Sequence, residues 1–221
     1  MIIGARFNGP PGSGNGGYSA GLLAAELGTG PAEVTLRKPP PLGVEFRLSH
    51  DGPVVRALDG ETVIAEARHL DEPAPSAVPP VSPDEAAEAA KAYPGFTDHP
   101  FPTCYVCGHA RGDGMGIFPG PVGDGRVAAP WTVADGPGEP GPVTLWAALD
   151  CPGGWSVISE GRPYVLGRLA VWVDALPSAG DDCVVLGRHV GGEGRKADVL
   201  STVYGPGGDR LATARATWIA I

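Results

Sequence analysis

Basic residues are scarce in this chain. Lys and Arg number 16 against 25 Asp and Glu, a formal net charge of −9 over 221 residues, and the basic residues form no cluster. That balance disfavours non-specific binding to nucleic acid or to an anionic membrane surface. Long apolar runs are missing too: none approaches the roughly 18 residues that a membrane helix needs. No basic segment leading into an apolar stretch opens the chain, so no signal peptide is expected. A soluble cytoplasmic protein with no nucleic-acid or membrane partner is the expectation. Cysteine is sparse, with four residues, which is too few for a disulfide framework in a chain of this size.

Glycine and proline, by contrast, are abundant, at 35 and 25 residues, beside a hydrophobic fraction of 43%. The apolar segments recur at element-sized intervals, so the excess reads as tight turns between short strands and not as disorder. The length suits one large domain or two small ones.

The chain states one plan twice. "MIIGARF" reads as a strand before a Gly-rich loop, and "YSAGLLAAEL" then reads as a helix that Gly28 stops. "EVTLR", "GVEFRLSH", "PVVRAL" and "TVIAEARHL" follow as short β-branched runs between turn residues. "DEPAPSAVPPVSP" reads as a linker and "DEAAEAAKAY" as a short polar helix with acids at its positive end. The second half begins with predicted strands "GMGIFPGPV" and "RVAAPWTV". A helix over "VTLWAALD" comes next, with its continuation through "CPGGWSVI" left open. The strands "YVLGRLAVWVDAL", "DDCVVLGRHV", "KADVLSTVYG" and "DRLATARATWIAI" close the chain. "GETVIAEAR" and "GGDRLATAR" align 147 residues apart, with identities at Gly60/Gly207, Ala65/Ala212, Ala67/Ala214 and Arg68/Arg215. An internal duplication is the expectation: residues 1–70 as a first unit, 71–100 as connector and 101–221 as a second.

The loop "GPPGSGNGGYSAGLL" contains G-x-G-x-x-G at Gly12, Gly14 and Gly17. A dinucleotide fold needs strand and helix to keep alternating, and here one helix is followed by strands only. No Gly-Lys-Ser/Thr follows for a Walker-type loop. Glu33, at the distance of a ribose-binding acid, begins a predicted strand instead. A helix followed by a β-meander predicts a helix wrapped by an antiparallel sheet, the plan of the hotdog fold.

The chain resembles the double-hotdog acyl-CoA thioesterase-like proteins of the thioesterase superfamily. "NGGYSAGLLAAEL" (15–27) is similar to the His-Gly-Gly opening of hotdog helices, with Asn15 in the histidine's place. "LWAALD" (145–150) is similar to the helix of the second unit, whose acid orients the attacking water in family members. The resemblance implies an α+β tandem hotdog and hydrolysis of an acyl thioester carried by CoA or an acyl carrier protein. It also implies that Asp150 positions or deprotonates water, and that Asn15 with the Gly16 and Gly17 backbone holds the carbonyl. Helix N-terminal N–H groups suit an oxyanion. Thr217 falls near an expected Gln. Ala24 stands where single-unit relatives carry an acid, with Glu26 the nearest, so the first half is expected to supply only the carbonyl-binding groups. No metal or organic cofactor is expected; self-association as a homodimer stays open.

Other residues carry second readings. Trp131, Trp146, Trp155, Trp172 and Trp218 suit either core or an acyl tunnel, with Trp146 and Trp155 the candidates for substrate contact. Arg195 and Lys196 suit either the phosphates of CoA or an exposed turn. Cys104 and Cys107 have zinc-ligand spacing with His99 or His109 near, yet no second C-x-x-C completes a structural site, and a redox C-x-x-C lacks its context. Cys151 beside Asp150 is a nucleophile candidate, but a buried thiol is the plainer role for it and for Cys183. The rival functions are a non-hydrolytic acyl-thioester binder, a hotdog dehydratase or hydratase, and a small zinc-stabilised interaction module.

Overall fold

The computed structural model describes residues 1–136, 141–158 and 162–221. In chain order the elements are α1 (Gly16–Ala24), β1 (Ala32–Leu36), β2 (Arg47–Asp51), β3 (Val54–Asp59), β4 (Thr62–His69), α2 (Pro83–Lys91), β5 (Gly120–Gly123), β6 (Arg126–Thr132), α3 (Pro142–Ile158), β7 (Tyr164–Val173), β8 (Asp182–Glu193), β9 (Lys196–Tyr204) and β10 (Arg210–Ala220). The strands form one ten-stranded sheet in the order β2-β3-β4-β1-β7-β10-β9-β8-β6-β5, with antiparallel neighbours. The order is mirrored about the β1–β7 seam: each half reads outward from its post-helix strand to its last strand and then back through its meander.

That symmetry places Arg68 and Arg215, aligned in the sequence, on equivalent strands beside one acid. Glu33 pairs in register with Arg68 on one side and Ala170 on the other, and Ala170 pairs with Arg215. The buried Glu33 carboxylate lies 2.8 Å from Arg68 Nη2, 3.9 Å from Arg168 Nε and 4.0 Å from Arg215 Nη2.

Helices α1 and α3 lie on the other face of the sheet, α1 against β1, β4 and β7, and α3 against β6 to β10. They run antiparallel and touch through glycine. A Cβ at Gly17 would sit 2.5 Å from Asp150 Cβ and 2.7 Å from the Trp146 carbonyl oxygen, and one at Gly21 would sit 2.9 Å from Trp146 Cβ. Helix α3 is buried nearly all round, which is why it carries apolar residues on every side and not a stripe. It continues through Pro152-Gly153-Gly154 to Ile158, settling the continuation that the sequence left open. At Gly154 a side chain would meet the Trp218 ring at 2.5 Å, and at Gly153 Val199 Cγ2 at 2.6 Å. The weak helix formers are the residues that let α3 sit this close to β9 and β10.

The first half of β8, from Cys183 to Gly187, is buried on both faces. Cys183 and Val185 join the main core under the helices, while Val184 and Leu186 meet Val78, Ala86 and Tyr204 in a smaller core on the outer face. Residues 71–82 form no helix or strand, but they are held there: Thr202 Oγ1 accepts from Val78 N–H at 2.9 Å, and Tyr204 OH donates to the Val78 carbonyl at 2.7 Å. Helix α2 opens on a reciprocal cap between Ser82 and Glu85.

Two predicted strands are corrected. "MIIGARF" is a single bridge from Ile2 to Glu45 followed by a 3₁₀ turn at Ala5–Phe7. "GMGIFPGPV" is strand only from Gly120; Met115 and Ile117 N–H groups donate instead to the carbonyls of Tyr105 and Val106. No helix among the described residues is long and apolar enough to cross a membrane.

Candidate active site

Asn15 is the N-cap of α1. Its Oδ1 accepts from Tyr18 N–H at 2.8 Å, the usual role of an Asn at this position. That bond orients the amide, because only the oxygen can face a donor, and leaves Nδ2 to reach across to α3. Nδ2 donates to Asp150 Oδ2 at 3.0 Å, and Gly17 N–H donates to the same oxygen at 2.9 Å. Asp150 is 2% exposed, and its Oδ1 has no hydrogen-bond partner among the described residues. Burial pushes the Asp150 carboxyl up to about 7, against the Gly17 N–H and the Asn15 amide, which favour the ionised form. Gly16 N–H, at the first helical position, has no acceptor among the described residues.

Asn15, Gly16 and Asp150 line a cavity of about 400 Å³. Leu36, Phe101, Trp155, Leu166 and Trp218 give it an apolar wall, and the exposed Arg37 and Lys38 also border it. Its volume is at the lower end of the range of small-molecule sites. Trp155 is fixed edge-on against Tyr93 and His99, with ring centroids 4.6 and 5.1 Å away.

Of the residues singled out in the sequence, Asn15, Gly16, Asp150 and Trp155 line this cavity. Gly17 belongs to the site through its bond to Asp150; its N–H is therefore engaged by the acid and not free for a carbonyl. Four others lie elsewhere. Trp146 packs its Cβ against Gly21 as helix–helix core. Thr217 Oγ1 donates to Asp198 Oδ1 at 2.9 Å, while the cavity wall is formed by the next residue, Trp218. Arg195 lies in the β8–β9 turn and Lys196 opens β9; neither borders the cavity, although the Arg195 carbonyl accepts from Ala220 N–H beside the wall residues Ile219 and Ile221. Sequence reading missed Leu36 to Lys38, Phe101 and Leu166. Only Leu166 had a signal, the alternation of β7, which sends Leu166 toward the helices. His99, Cys104, Cys107 and Cys151 line the cavity as well.

No family model matches the chain, and no curated protein matches it by sequence. Solved structures match over its full length. A hotdog-fold protein of unknown function from Alicyclobacillus acidocaldarius superposes with a TM-score of 0.57 at 13% identity, over 98% of this chain and 90% of that one. The chain has a double hotdog fold. Other structures agree on the architecture of this double hotdog. The tesB protein of Mycobacterium avium subsp. paratuberculosis gives a TM-score of 0.60 at 12% identity over 100% of this chain and 91% of its own. A candidate thioesterase II from Thermobifida fusca gives 0.64 at 13% identity over 100% and 95%. In this double hotdog the polar groups of the two central helices meet where the N-terminus of α1 crosses the middle of α3.

Proposed function

We propose that the protein hydrolyses an acyl thioester, with the acyl group in the apolar cavity and Asp150 activating water. The observation that carries this reading is the state of Asp150. One carboxylate oxygen is held by Asn15 and Gly17 N–H, the other is unpartnered, and the whole group is buried in a cavity wall. A buried acid with a spare acceptor is costly unless it has a task. In the step envisaged, Asp150 takes a proton from water as the oxygen adds to the thioester carbon. The free Gly16 N–H and the partial positive charge of the α1 N-terminus receive the developing oxyanion. The carbon–sulfur bond then breaks, the acid is released, and the thiolate recovers the proton from Asp150. Asn15 and Gly17 act by orienting the carboxylate, a revision of the carbonyl-holding role read from the sequence. Lys38, at the cavity's exposed border, suits the phosphates of CoA or of a carrier's phosphopantetheine, whereas the Arg37 guanidinium is already paired with Glu66. The reading takes residues 1–70 and 101–221 as the two hotdog units.

The names of the M. avium and T. fusca proteins accord with this reading. A second reading, a non-hydrolytic acyl-thioester binder, is favoured by one observation: Thr217, which falls near the expected Gln, is bonded to Asp198 away from the cavity. A thiol-release screen across a panel of acyl-CoAs, run beside binding calorimetry with a non-hydrolysable analogue, separates the two. Release that depends on Asp150 supports hydrolysis. Saturable binding with no release supports the binder.

A further inference from the structure

The C-x-x-C of the sequence lacked partners, and the fold brings one to it. Cys104, Cys107 and Cys151 are all buried, and their three sulfurs lie within 4.8 Å of one another. Cys151 comes from the middle of α3, 47 residues from Cys104, and the two sulfurs are 3.9 Å apart. We propose that these three cysteines form a zinc site in the wall of the cavity, with the fourth coordination position left to a water from the cavity side.

The geometry is that of ligands and not of packing. A zinc–sulfur bond of about 2.3 Å places the sulfurs of a tetrahedral site about 3.8 Å apart, close to the observed Cys104–Cys151 separation. The loop is built to present a sulfur. The turn closes through Gly108, whose N–H donates to the Cys104 carbonyl at 2.9 Å; a Cβ there would lie 2.5 Å from Cys104 N and O. His99 completes the surroundings. Phe101 N–H donates to His99 Nδ1 at 2.9 Å, so the ring proton sits on Nε2, which faces Cys107 at 3.4 Å from its sulfur and 3.2 Å from its carbonyl. His99 is therefore an N–H donor to Cys107 and not the fourth ligand. Asn15 Nδ2 stands 3.7 Å from the Cys104 sulfur and 3.9 Å from the Cys151 sulfur as a further weak donor. Three cysteines serving as small apolar fillers would not need to converge on a shared centre. Cys183, buried alone in β8, shows that plain role. An all-thiolate protein donor set selects a soft or borderline ion, and binding exchanges three S–H bonds for three metal–sulfur bonds with release of the protons.

The test is metal content. Untagged protein from zinc-supplemented cells, analysed by inductively coupled plasma mass spectrometry, should carry about one zinc per chain. Folded Cys107→Ser and Cys151→Ser should each lose most of it, and Cys183→Ser should keep it. Because a ligand variant can fail to fold, the wild-type apoprotein is also titrated with Co²⁺. The expected result is a saturable thiolate-to-cobalt absorption with the strong visible bands of a four-coordinate ion. Wild-type protein that holds no zinc and gives no such absorption overturns the proposal. So does zinc retained in full by folded Cys107→Ser and Cys151→Ser, another metal in its place, or a Cys104–Cys151 disulfide found by mass spectrometry instead of metal. Hydrolysis is not the readout, so the thioesterase reading can fail while the zinc site stands, and the reverse.

Discussion

Replacing Asp150 by Asn and by Ala should give two different failures. In Asp150→Asn the amide oxygen takes the place of Oδ2 and keeps the bonds from Asn15 Nδ2 and Gly17 N–H, at 3.0 and 2.9 Å. The NH₂ takes the place of Oδ1, where the carboxylate has no partner in any case. Two charge-assisted bonds become neutral ones, a loss of about 1 kcal/mol each at most. Relief of a buried charge acts in the opposite direction. Stability should therefore stay within about 2 kcal/mol of wild type, a melting shift of a few degrees. The general base is gone, and that usually costs about 10²–10⁴-fold in rate. In Asp150→Ala both donors are left buried and unpaired at about 1–3 kcal/mol each, which lowers the melting temperature by roughly 5–20 °C for a chain of this length. The assays are thiol release at saturating and limiting acyl-CoA, and scanning calorimetry of both variants. Wild-type activity in Asp150→Asn would refute the mechanism. Equal destabilisation of both variants would show that the carboxylate is there for structure and that its unpartnered oxygen has been misread.

Three further outcomes follow from the packing. Gly17→Ala puts a methyl 2.5 Å from Asp150 Cβ. It should destabilise by about 3 kcal/mol or more in urea unfolding, as overpacking of a rigid contact does; Gly12→Ala, in open space at φ 72, should cost only about 1 kcal/mol, and equal costs would contradict the close helix contact. Glu33→Gln leaves Arg68, Arg168 and Arg215 around a neutral amide. Because the arginine heads are about half exposed and screened, a loss of only about 1–2 kcal/mol is expected, shrinking as salt is added; a salt-independent loss would point to packing. Thr217→Val should leave thiol release unchanged and cost about 1 kcal/mol for its bond to Asp198; a tenfold fall in kcat would return Thr217 to the site.

The strands and the order of elements were legible in the sequence because they rest on local chemistry. β-Branched runs between Gly, Pro and Asp turns read as strands whatever surrounds them, and an Asn before Gly-Gly and an apolar run reads as a helix start. Asn15, Gly16 and Asp150 could be singled out on such grounds together with the family resemblance. What those residues do to one another was decided only when α1 and α3 packed, since the Asn15–Asp150 bond spans 135 residues and depends on glycines at the crossing. Thr217 and Trp218 show a finer limit. Side chains alternate with a period of two, so one residue decides the face, and the β7–β10 register shifts between these two positions. The persistence of α3 through Pro152-Gly153-Gly154 runs against local propensity and follows from the space left by Val199 and Trp218. Cys151 marks the clearest division. C-x-x-C is a local spacing and can be read from the chain, but its third sulfur lies on a helix where a lone cysteine looks like any small buried residue. Convergence of groups distant in sequence is a property of the packed fold, because no local propensity encodes the distance between them.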